Sequence, residues 1–130
     1  MMGQITEAVL LVSGARTSTQ TIEPLFNPDS LGDITGIEIV LDLTAFTTAA
    51  SLTLSIEEWN QGAGAYRTVL AATALAAVGV KRLLITPISP TAANASLSGL
   101  VGNQFRVVVT HGNANSHTYS VTAKYLRGVI

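Results

Sequence analysis

Apolar and polar residues alternate with a period of two through most of this chain, which is the spacing of a β-strand with one dry face. The cleanest run is Gly36 to Phe46, where Ile37, Ile39, Leu41 and Leu43 alternate with Glu38, Val40, Asp42 and Thr44. Thr47 to Ala50 turns the chain. From Ser51 to Trp59 the pattern resumes, with Leu52, Leu54 and Ile56 inside and Thr53, Ser55 and Glu57 outside. Asn60 to Ala65 contains Gly62 and Gly64 and predicts a hairpin loop, with Tyr66 to Ala72 as the returning strand. Val80 to Thr86 is a further strand, stopped by Pro87 and Pro90. Gln104 to Tyr125 then reads as two Val-, Thr- and Tyr-rich runs around Gly112-Asn113-Ala114-Asn115-Ser116. If His111 pairs with His117, then Val109 meets Tyr119, Val107 meets Val121 and Phe105 meets Ala123, all on one face. The other face carries Thr110 and Thr118, Val108 and Ser120, Arg106 and Thr122, and is mostly polar. The expectation is a hairpin with this register.

The remaining segments are less regular. Ile5 to Arg16 predicts a strand with apolar residues on both faces, Val9 and Leu11 on one, Ala8, Leu10 and Val12 on the other, and hence burial on one side by its own sheet and on the other by a neighbouring subunit or loop. Residues 17–35 predict a long loop, because Pro24 and Pro28 forbid regular pairing there. Its Ile22, Leu25, Phe26 and Leu31 need a dry surface, on their own domain or on a partner. Val9 and Leu11 join these four as candidate interface residues. Ala71 to Val78 reads as a strand end and turn, and Thr91 to Asn103, small and polar with two glycines, as loop. About seven to eight short strands without a convincing helix predict one all-β domain over residues 1–130, an antiparallel β-sandwich or jelly-roll-like fold.

Composition changes the picture in one respect. Charged residues are 12% of the 130, about half the roughly 25% usual in soluble domains. Mean hydropathy is positive, yet no apolar run approaches the roughly 18 residues of a membrane span. Such a chain is expected to hide surface in an assembly. The net charge of −1 gives no reason to expect nucleic acid or a membrane as partner. The absence of cysteine excludes disulfides, thiolate metal sites and a cysteine nucleophile.

Candidate chemistry is sparse. There is no phosphate loop, nucleophile elbow or helical His-Glu pair. His111 and His117 face each other in the register above, but no carboxylate or thiolate lies nearby in sequence to complete a Zn²⁺ or Ni²⁺ site, so they read as a solvated pair beside a turn. Glu57 and Glu58 diverge to opposite faces, so they do not form an acid/base pair. Arg16, Lys81, Arg82 and Arg127 are scattered and read as solubility charges or single interface pairs. Trp59 and Tyr66 flank the loop at 60–65. Exposed together they form a flat aromatic platform for a sugar, and paired across the strands they cap the core, which is the favoured reading. No catalytic, metal or cofactor residue is expected.

The run Arg106-Val-Val-Val-Thr-His-Gly-Asn-Ala-Asn-Ser-His-Thr-Tyr-Ser-Val121 resembles the closing segment of a family of small structural proteins of tailed bacteriophages. Gly36 to Ala45, Ser51 to Ile56 with its following turn and Tyr66, and more weakly Ser13 to Thr19, fit the same pattern. The resemblance covers residues 13 to 126. It implies a non-enzymatic virion protein, assembled in the bacterial cytoplasm and placed on the capsid exterior as a head decoration (cement) protein. The implied partners are the major capsid protein lattice and further copies of the chain, as a trimer. A minor tail or neck component, or a carbohydrate-binding sandwich module, is the alternative.

Overall fold

A strand needs hydrogen-bond partners along its edges and a dry surface on one face, and two stacked sheets supply both. The computed structural model describes residues 4–22, 34–99 and 105–127. Nine strands lie among them: β1 (Gln4–Arg16), β2 (Gln20–Ile22), β3 (Ile34–Phe46), β4 (Leu52–Asn60), β5 (Ala65–Ala71), β6 (Gly79–Thr86), β7 (Ser96–Ser98), β8 (Phe105–His111) and β9 (His117–Arg127). One sheet has the order β1-β9-β3-β6-β7 and the other β2-β8-β4-β5. With the short β7 set aside, the remaining eight strands have the order of a double-sheet jelly roll. All pairs are antiparallel except β6 with β7. The all-β expectation holds, and no helix among the described residues is long and apolar enough to cross a membrane.

The core is what the alternation dictates. Ile37, Ile39, Leu41 and Leu43 of β3, with Leu83 and Ile85 of β6 and Tyr119, Val121, Ala123 and Tyr125 of β9, point from one sheet. Leu52, Leu54 and Ile56 of β4 and Phe105, Val107 and Val109 of β8 meet them from the other. Burying an aliphatic side chain of this size is worth about 1.5–3 kcal/mol, so these rows hold the sheets together. Between them, β4 and β5 form the hairpin the glycines predict, with Trp59 opposite Tyr66.

Four expectations change. β8 and β9 are not hydrogen-bonded partners: β8 pairs with β2 and β4, and β9 with β1 and β3. Residues 112–116 carry the chain from one sheet to the other, so the inward rows of β8 and β9 enter the core from opposite sheets. Alternation fixes which face is buried, and side-by-side or face-to-face strands satisfy it equally. Second, the polar face assigned to this pair is interrupted, since Val108 is buried. Third, the predicted loops each hide a three-residue strand, β2 with Ile22 half-buried against the core and β7 beside β6. Leu25, Phe26 and Leu31 lie outside the described residues.

The fourth change concerns the facing of Leu11 on β1, a strand at the edge of its sheet with one face covered by the chain's own described residues. Ala8, Leu10 and Leu11 pack against the core, and Ile5, Val9 and Val12 are 68%, 63% and 73% exposed. Register shifts between Val9 and Leu11 and between Leu11 and Gly14 turn both Leu10 and Leu11 inward. Simple alternation therefore assigned Leu11 to the wrong side.

Candidate functional site at the histidine end and the outer sheet face

The chemistry-bearing side chains gather where the β3–β4 and β8–β9 connections cross between the sheets. The backbone of one connection is stitched to the other: the Thr47 amide donates to Ser116 O (3.0 Å) and the Gly112 amide to Ser51 O (2.9 Å). Asn115 Nδ2 donates to Ala49 O at 3.1 Å and the Ser116 amide to Thr47 Oγ1 at 3.1 Å. Thr48 takes φ +64° to make the tight corner. Gly112 has no room for a side chain, because a Cβ there would lie 2.9 Å from Ser51 Cβ and closer still to Ser51 Oγ.

His117 is fully buried at this crossing. Its Nε2 accepts from the Ser51 amide (3.1 Å), so Nδ1 carries the proton and donates to Asn115 O (2.8 Å). Both nitrogens are thereby used to tie the two connections together. It is the Ser51 amide, not its hydroxyl, that meets the ring, so the contact is not a nucleophile–base pair. The His111 ring stands edge-on to His117 with centroids 5.0 Å apart, as facing residues would, though through the core rather than along a hairpin. The expected solvated pair is thus corrected for His117. His111 Nε2 shares a hydrogen bond of 2.8 Å with the Tyr119 hydroxyl, and its Nδ1 is buried without a partner. Burial first, then His117 and Arg16, lower the His111 pKa from its ordinary value. Burial raises that of Tyr119 to about 12, against the smaller opposing effect of Arg16.

Arg16, read from sequence as a scattered solubility charge, closes the cluster. Its guanidinium lies 4.8 Å from the Tyr119 ring centroid. It donates to Tyr119 O at 2.7 Å, to Gly14 O at 3.1 Å and to Val12 O, satisfying carbonyls at the irregular end of β1. Nothing in the local sequence couples two residues 103 positions apart. No group of three His, Asp or Glu that could hold a metal occurs among the described residues.

Trp59 and Tyr66 meet edge to face, centroids 5.3 Å apart at 74°, the cross-strand contact favoured from sequence. The Arg106 guanidinium lies 4.1 Å from the Tyr66 ring centroid, and Arg106 Nε donates to Glu57 Oε1 at 2.7 Å. Glu57, expected as a surface charge, is the partner that positions Arg106 against the ring.

On the outer face of the β1-β9-β3-β6 layer, Glu7, Lys124, Glu38 and Leu84 form one cross-strand row, and Val9, Thr122, Val40 and Arg82 the next. Lys124 Nζ and Arg82 Nη1 each lie 3.7 Å from Glu38 Oε1. Beside Gly36, whose own face is filled by the Thr86 methyl, lies a dent of about 290 Å³ walled by Ile5, Leu84, Lys124 and Leu126. Of the expected interface residues, Val9 lies on this face, whereas Leu11 and Ile22 point inward.

Compared with known protein-family models and with curated protein sequences, the chain matches none.

Proposed function

We propose that this chain is a non-enzymatic virion protein that decorates the exterior of a bacteriophage head and stabilises the assembled shell. The observation that carries the binding role is the outer surface of β1, where Ile5, Val9 and Val12 stand exposed on a chain with few charges. Exposed apolar side chains grouped on an edge strand support an assembly role. The choice of assembly rests on the phage-like run from Arg106 to Val121, and the jelly-roll order, frequent in viral capsid domains and in lectins, is compatible with it. The histidine end supports the same reading, since His117 and Arg16 are spent on joining strands and connections. The carbohydrate-binding alternative draws less support, because the Trp59 and Tyr66 rings are perpendicular and Arg106 lies against the Tyr66 ring.

A clamp that binds the assembled lattice and not its free subunits stabilises the lattice by mass action, multiplied over many copies. The test mixes purified protein with heads lacking it and measures co-sedimentation and survival on heating. Binding with raised heat resistance is expected. Binding only to tails or to a polysaccharide would overturn the proposal.

A further inference from the structure

We infer that the outer face of the β1-β9-β3-β6 layer is a docking surface for a second copy of this chain, turned about a two-fold axis parallel to the strands. The argument starts from the order of charge across the four strands. Glu7 on β1, Lys124 on β9, Glu38 on β3 and the Arg82 guanidinium, which reaches Glu38 from β6, read minus, plus, minus, plus. A half-turn about an axis between β9 and β3 reverses that order in the facing copy. Lys124 then meets Glu38 of the second copy in both directions, and Glu7 comes over Leu84 with the Arg82 guanidinium beside it. Under this half-turn no charge of the row falls opposite its like, and the Lys124–Glu38 pair is made twice.

The apolar positions obey the same operation. Leu126 of one copy comes over the dent beside Gly36 of the other, and Leu126 and Gly36 are neighbours across the β9–β3 ladder on either side of the axis. Ile5 and Val9, 68% and 63% exposed, lie at the rim on one edge, and Val80, 47% exposed, on the other. The charged heads are themselves accessible, Arg82 at 58% and Lys124 at 44%, so pairing needs no rearrangement of the sheet. Four strands about 4.8 Å apart and four side-chain rows about 6.8 Å apart cover roughly 500 Å² per copy. That is below the ~800 Å² per partner of a standard interface, so the pair belongs with the small, transient interfaces. The inference is argued apart from the virion reading, with which it competes for Ile5 and Val9 and leaves Val12 to a shell contact, and it differs from three-fold assembly, which would need two different surfaces on each copy.

The experiment is sedimentation velocity on the full chain from micromolar to high micromolar concentration, with its charge-reversed variants. The wild type forms dimers that weaken as salt is added. Lys124→Glu and Glu38→Lys each oppose like charges across the axis and weaken pairing at least ~10-fold. An equimolar mixture of the two variants restores it, because the carboxylate introduced at position 124 of one then faces the ammonium introduced at position 38 of the other. The double variant restores it within one chain. Circular dichroism melts show whether each variant is folded, and the mixture reports on pairing even if one variant is less stable. A wild type that stays monomeric, a trimer, or a mixture that pairs no better than either variant alone overturns the inference. Dimers in solution together with no binding to heads would sink only the virion reading.

Discussion

His117 shows how a histidine is buried completely without a counter-charge. The Ser51 amide takes Nε2 and Asn115 O takes the Nδ1 proton, so the ring serves as a bracket between two connections. Its neighbour His111 has no such pair of contacts. Burial, His117 and Arg16 all disfavour its protonated form. The unfolded chain, with an ordinary histidine pKa near 6.5, therefore takes up a proton more readily than the folded one. Stability present above that pH is lost as the pH falls from about 6.5 toward the folded value. Urea midpoints at about pH 7.5 and about pH 5.5 are expected to differ, and His111→Phe to shrink the difference. An unchanged difference in the variant would remove His111 from the account. Tyr119 acts in the opposite direction. With its pKa raised to about 12, it withdraws stability as the pH rises above the ordinary tyrosine value.

At the scale of the element, the connections carry the most specific demands. Gly112→Ala drives a methyl group into Ser51, and an overpacked site of this kind costs about 1–3 kcal/mol. The denaturant midpoint reads that loss, and Ser51→Gly in the same chain is expected to recover part of it. Val107 sits at the centre of β8 with no exposure. Val107→Asp leaves an unpaired charge between the sheets and is expected to cost several kcal/mol, with the thermal midpoint as readout. An equally stable variant would mean that β8 faces the other way. The inward faces of β3, β4, β8 and β9 were legible because period-two alternation encodes burial directly. Partner choice was not. Val107 with Val121 is a good pair whether the strands lie side by side or across the core, and the five residues between His111 and His117 suit either path. Short β2 and β7 were hidden because three residues carry no periodicity. Arg16 escaped for a different reason: its value lies in carbonyls freed by irregular pairing, and an irregularity in β1 has no signature in composition.

For the molecule as a whole, a charge-poor surface and a long, one-sided edge strand make assembly the dominant expectation. If the chain clamps a phage shell, heads saturated with it should release their contents at a higher temperature than bare heads, and removing the exposed side chains with Val9→Asp and Val12→Asp should abolish that shift while leaving the fold intact. A variant that protects heads fully would place the contact elsewhere. The strand order also has a consequence for biosynthesis. β9 follows the other eight described strands in sequence, yet it lies between β1 and β3 and hydrogen-bonds to both. On a ribosome adding about 5–20 residues per second, the first and third strands emerge several seconds before the one that joins them. Throughout that interval both present long, apolar, unsatisfied edges to every neighbouring nascent chain. Polysomes translating this message hold many such edges close together, so the yield of the protein depends on what shields β1 and β3 until residues 117–127 emerge.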